Sequence, residues 1–172
     1  MYGPNKEIFT RTTHSLLSDG WERFNRTLDL LPSLDTRIVL RHTLTKDLNM
    51  GWEADYARMD LRADPDFVET KGYMFVGASR ERLSMSNMPS HEEIKQFAAN
   101  LAEHMGYDVR ADIPQSRVCL LTRPGMEDTW IPALRERDRL KAEGKLPIPE
   151  VPSNRGLRDA NGKVRLPVAK VA

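Results

Sequence analysis

FVETKGYMFVGASRERLSMSNMPSHEEI, residues 67–94, runs from a strand through a basic loop into the start of a helix, and its reading sets the fold of the whole chain. The run 67–76 is rich in β-branched and aromatic residues (Phe67, Val68, Thr70, Tyr73, Phe75, Val76) and predicts a strand. Gly77 opens a loop that carries Ser79, Arg80 and Arg82. Ser90, with Glu93 three residues on, then forms a capping box, in which each side chain accepts a backbone N–H that the helix start leaves unpaired. Beyond it Ile94, Phe97, Ala98, Leu101, Ala102 and Met105 recur at helical spacing as one apolar face, and Gly106 terminates the helix.

Upstream, Ser18 or Asp19 can cap a helix over residues 21–31, where Trp21, Phe24, Leu28 and Leu31 share a face before Pro32 stops it. TRIVLRHTL, residues 36–44, predicts a second strand, KDLNMG a loop, and residues 53–61 a short helix ahead of the turn ADPD. Strand, helix and strand of these lengths fit one right-handed crossover of a parallel sheet. YDVRADI and SRVCLLTR predict two short strands paired as a terminal ribbon, and residues 1–17 read as polar and turn-rich. Two long strands are few for a parallel α/β sheet, so the chain reads as part of a larger one, with an open edge that invites self-association.

With 30% charged residues, 40% hydrophobic residues and a net charge of +1 in 172 residues, the chain fits one domain plus a tail, and any anion binding must come from local patches. The single cysteine, Cys119, excludes an intramolecular disulfide and any zinc or iron–sulfur site built from several of the chain's own thiolates. It reads as a small buried hydrophobe in a reducing, cytoplasmic setting. No stretch approaches the length of apolar sequence that spans a bilayer, and no export signal is expected. From Pro124 the texture changes, with six of the eleven prolines and ten basic residues against seven acidic ones. Residues 124–172 therefore read as a separate tail, with one helix over 130–143 and the rest extended or disordered.

In parallel α/β folds functional groups gather at the carboxyl ends of the strands, here residues 43–49 and 69–82. Arg80 and Arg82 suit phosphate contact through their guanidinium forks, or are solvated loop charges or partners of Glu81, Glu92 or Glu93. Alternation puts Glu69 and Lys71 on one face, either toward a ligand or as an ion pair that fixes the strand. Asn49 either contacts a ligand from the loop after the first strand or closes a turn on its own backbone. His91, beside Glu92 and Glu93, reads as a helix-start surface residue, and His14 and His42 stand apart from any partner pattern.

The run ETKGYMFVGASRERLSMSNMPSHEEI, preceded by SDGWERFNRTLDLL and TRIVLRHTLTKDLNM and followed by GYDV and SRVCLL, closely resembles the C-terminal half of the archaeal 4-demethylwyosine synthase family over residues 3–123. The resemblance implies an α/β fold, the C-terminal part of a radical-SAM partial barrel. Residues 1–72 would be the barrel portion, 73–123 a wyosine-specific extension and 124–172 the Pro-rich tail. It implies formation of the tricyclic wyosine base from N1-methylguanosine at position 37 of tRNA-Phe, with pyruvate, S-adenosylmethionine and a [4Fe-4S] cluster. Asn49, Glu69 and Lys71 would then serve the bound cofactor, and Ser79, Arg80 and Arg82 the tRNA. The family's C-x3-C-x2-C motif, and the lysine that takes pyruvate as a Schiff base, belong to its N-terminal half. The chain alone is therefore expected to be inactive, its cluster coming from a second polypeptide. The rival readings are a non-catalytic tRNA-binding or interaction protein derived from the family, or an inert fragment of it.

Overall fold

In the computed structural model, which describes residues 1–126, 139, 140 and 142–144, the strand–helix–strand unit forms as the sequence predicts. Strand β1 is Val39–Leu44, and helix α3, Glu53–Ala63, returns the chain to strand β2, Phe67–Gly72, parallel to β1 with Arg41 opposite Glu69 and Thr43 opposite Lys71. Helix α4, His91–Met105, has the expected capping box, Ser90 and Glu93 each satisfying the other's backbone, and Gly106 closes it at φ 69°. That left-handed conformation costs a glycine little. All six residues of the predicted apolar face of α4 are buried. At about 1.5–3 kcal/mol for each large apolar side chain, this face is the main attachment of the helix.

The C-terminal ribbon forms too, from β3, Asp108–Ile113, and β4, Val118–Thr122, antiparallel with a bulge between Val109 and Ala111. It does not stand apart, however. Strand β4 pairs antiparallel with β2, giving the order β1-β2-β4-β3. The expected parallel sheet is thus corrected to a mixed four-stranded sheet whose outer strands are β1 and β3. Cys119 and Leu121, both fully buried, anchor β4 in the core as alternate residues of one strand face.

Three further readings are corrected. The N-terminal region is not merely turn-rich but holds helix α1, Lys6–Thr13, capped by Asn5, whose side-chain oxygen accepts the N–H of Ile8 at 3.0 Å. It stacks Phe9 against Trp21 and Phe24 of helix α2, Gly20–Leu30. Strand β2 stops at Gly72 rather than at residue 76: the Gly72 and Tyr73 N–H groups still bond to either side, to the Arg117 and Leu44 carbonyls, and the Val76 N–H then turns back onto the Met74 carbonyl at 2.8 Å. His42 does have a partner: its Nε2 lies 2.7 Å from Asp60 Oδ2, with both side chains fully buried. The helix expected over 130–143 lies outside the described residues except for 139, 140, 142 and 143. There the Glu143 N–H donates to the Arg139 carbonyl at 3.0 Å.

The core lies on one side of the sheet, where Leu40, Leu44, Val68, Cys119 and Leu121 meet Leu28 of α2, Tyr56 and Ala57 of α3, and the apolar face of α4. Among the described residues, no helix packs on the opposite face.

Candidate functional site

That opposite face carries Val39 and Arg41 from β1, Phe67, Glu69 and Lys71 from β2, Val118 and Leu120 from β4, and Ala111 and Ile113 from β3, as the ladder registers require. Its polar groups are organised. Two nitrogens of Arg41 grip the Glu69 carboxylate across the parallel pair. Lys71 Nζ donates to the Ser116 carbonyl at 3.2 Å in the turn between β3 and β4. Glu69 and Lys71 share a face as predicted, but each takes a different partner, so their ion pair does not form. Phe67 is buried on this face with the Arg37 guanidinium carbon 5.8 Å from its ring centre.

The carboxyl ends of β1 and β2 are adjacent, as parallel pairing demands, and their loops are tied together. The Lys46 N–H donates to the Asn87 carbonyl at 2.9 Å, and Asn87 Nδ2 returns to the Lys46 carbonyl at 3.1 Å. Lys46 Nζ also meets Glu93 at 2.6 Å. The Lys46 ammonium, followed by the Ser90 backbone, holds the Glu93 carboxyl below the ordinary carboxylate range, and Glu93 in turn holds Lys46 above the usual lysine range.

Asn49 is completely buried at the end of β1 and its amide is spent on the backbone. Oδ1 accepts the Thr45 N–H at 2.6 Å, and Nδ2 donates to the carbonyls of Thr43 at 2.9 Å and Tyr2 at 3.3 Å. The Tyr56 hydroxyl donates to the Asn49 carbonyl at 3.1 Å, and burial beside Asp60 keeps that phenol protonated. Asn49 thus holds a loop in which Asp47, Gly51 and Trp52 all have left-handed backbones. A bulky residue such as Trp52 adopts that conformation only where the surroundings over-determine it.

The loop after β2 carries the basic group. Residues Gly77–Glu81 wind into a 3-10 turn, and the Ser79 hydroxyl donates to the Val76 carbonyl at 2.7 Å. With its one proton used there, Ser79 accepts from the Tyr73 hydroxyl, also at 2.7 Å. Arg80 is exposed with its guanidinium carbon 5.2 Å from the centre of the Phe75 ring. Arg82 is exposed and meets no carboxylate among the described residues, so neither arginine takes the expected partners Glu81, Glu92 or Glu93. His91 pairs instead with Asp112 of β3 at 3.0 Å, which pulls the Asp112 carboxyl below its usual range.

The structure therefore separates the residues singled out from the sequence. Glu69 and Lys71 lie on the sheet face opposite the described helices, Asn49 beneath the β1 loop, and Ser79, Arg80 and Arg82 on the loop after β2. Sequence reasoning missed Arg41 and Phe75. The signal for Arg41 was the strand register that sets it opposite Glu69, and for Phe75 the five-residue spacing to Arg80. Among the described residues no group of His, Cys, Asp and Glu is arranged to hold a metal ion, and Cys119 is buried within the sheet. The thiolates of an iron–sulfur cluster thus do not fit these residues.

Residues 62–123 match the family model described as wyosine base formation. The chain is 44% identical over 125 residues to the S-adenosyl-L-methionine-dependent tRNA 4-demethylwyosine synthases of Pyrococcus abyssi and Pyrococcus horikoshii. Each alignment covers 72% of this chain and 36% of the relative. The Oryza sativa protein of the same name is 36% identical over 139 residues, covering 73% of this chain and 21% of that one. Among solved structures, one of TYW1 with a lysine–pyruvate adduct bound superposes with a TM-score of 0.64 at 30% identity, covering 71% of this chain and 38% of that one. A crystal structure of archaeal TYW1 gives a TM-score of 0.56 at 26% identity, covering 71% and 37%. The chain thus spans just over a third of the length of the Pyrococcus relatives it matches.

Proposed function

Because the chain belongs to the tRNA 4-demethylwyosine synthase family, as a homologue of its C-terminal region, we propose that it is the tRNA-facing part of such a synthase. On this reading it acts in forming the tricyclic wyosine base from N1-methylguanosine at position 37 of tRNA-Phe, with pyruvate and S-adenosylmethionine. The sheet face opposite the described helices is then the inner wall of a partial barrel, residues 73–123 are the wyosine-specific extension, and the iron–sulfur cluster is held by residues outside this chain. The observation that carries the reading is a sheet face bearing both charge signs whose carboxyl-end loop presents Arg80 and Arg82 with no carboxylate partner among the described residues.

Glu69 and Lys71 carry the opposite charges that the ammonium and carboxylate of an amino-acid moiety pair with, and their present partners, one arginine and one backbone carbonyl, are exchangeable. Asn49 serves the cofactor indirectly, by holding the loop after β1. Ser79 fixes the turn from which Arg80 and Arg82 meet the RNA.

Co-expression with the cluster-bearing N-terminal region of the Pyrococcus abyssi relative tests the proposal. Co-purification, S-adenosylmethionine binding and appearance of the tricyclic base in tRNA-Phe are expected. Replacing Arg80 and Arg82 with alanine should weaken tRNA binding and flatten its salt dependence, by about one unit of slope for each phosphate no longer neutralised. Salt-dependent tRNA binding with no association of the two parts would favour a non-catalytic RNA-binding role instead.

A further inference from the structure

Resting on the tRNA reading above, we infer that Phe75 and Arg80 form a stacking platform for one unpaired nucleobase of the RNA, with Arg82 taking an adjacent phosphate. Three observations meet on this loop. The Arg80 guanidinium carbon lies over the Phe75 ring, 5.2 Å from its centre, within cation–π reach while the side chain stays exposed. Met74 and Val76, on either side of Phe75, are 40% and 63% exposed, which is apolar surface of the kind a base or ribose covers. Arg82, two residues on, is exposed with no carboxylate partner among the described residues.

The turn is also rigid where the platform needs it. Tyr73, Ser79 and the Val76 carbonyl form one hydrogen-bonded chain, and the N–H groups of Arg82 and Leu83 both return to the Ser79 carbonyl. A preformed turn loses little conformational freedom when a ligand binds, which favours recognition over mere attraction. A guanidinium and an aromatic ring held within cation–π reach of each other bring two flat π groups to one exposed spot, and single-stranded RNA bases are commonly held on aromatic and arginine planes. Phosphate contact alone would need only the positive charge and would place no value on Phe75.

Binding of the full chain to an anticodon stem-loop RNA, to the same RNA with an abasic loop, and to a blunt duplex separates these contributions, with 2-aminopurine in the loop reporting stacking. Phe75→Leu keeps the apolar volume, and Arg80→Lys keeps the charge but removes the plane. Each is expected to weaken stem-loop binding about 5- to 100-fold with the salt slope unchanged and the 2-aminopurine quench reduced. Arg82→Ala is expected to lower the slope by about one. Thermal melts of all three variants confirm that they remain folded. Equal affinity of wild type and both platform variants, or equal binding of intact and abasic loops, overturns the platform while leaving tRNA contact standing. Failure of the wild-type chain to bind any of the RNAs at low salt overturns the tRNA reading and the platform with it.

Discussion

At the scale of single residues, the chemistry at the end of β1 is dominated by groups that hold shape. Asn49 was legible in the sequence as a polar side chain at a strand's carboxyl end, but its dual use, accepting from Thr45 and donating to Thr43 and Tyr2, arises from a tertiary fold that brings residue 2 to residue 49. Asn49→Ala orphans these buried backbone groups, and each unsatisfied group costs about 1–3 kcal/mol. A loss of about 2–4 kcal/mol in urea denaturation is expected, and a change within about 0.5 kcal/mol would show that water replaces the amide. Histidine positions illustrate the opposite outcome. Nothing near His42 in sequence signals Asp60, because the two meet only when α3 packs on β1, eighteen residues on.

At the scale of elements, α4 was the most legible part of the chain. Its start, its apolar face and its glycine stop are all local signals, and local signals survive into the fold. What the sequence concealed is that Glu93 serves two structures at once, the cap of α4 and the clip to Lys46 in the β1 loop. Its folded-state carboxyl is held below its unfolded value. The stability it contributes is therefore complete above the ordinary glutamate range and is lost as pH falls through the lowered folded value. Glu93→Gln should be less stable than wild type at neutral pH, and the two melting curves should converge on acidification. A gap that persists undiminished at low pH would mean that the carboxylate charge is not what Glu93 contributes. The N-terminal helix α1 escaped detection for a related reason. At eight residues, with one buried side chain, Ile8, it has too little periodicity to be read alone and gains its stability from the aromatic contacts with α2.

At the scale of the whole molecule, the sheet is one-sided. Val39 and Ile113, at its two outer strands, are 53% and 50% exposed on a face that no described helix covers. Such a face favours association with another surface. The purified chain is expected to show a concentration-dependent mass in sedimentation, and a Val39→Lys, Ile113→Lys double variant is expected to lower it. An unchanged mass distribution would place the association elsewhere. The same face explains why Glu69 and Lys71 keep separate partners. Arg41 is in register with Glu69 across a parallel pair, and Ser116 reaches Lys71 only because β4 inserts beside β2.

By itself the sequence determined the α/β elements, the parallel β1–α3–β2 unit, the paired terminal ribbon and the basic loop after β2. Each rests on periodicity, capping or turn chemistry within a few residues. Only the tertiary structure decided that the ribbon joins the main sheet, that helices α2, α3 and α4 gather on one side of it, and that Arg80 sits over Phe75 while Arg82 meets no carboxylate among the described residues. Those outcomes depend on which surfaces bury the most apolar area when distant segments meet, and on the register that follows, neither of which local sequence encodes.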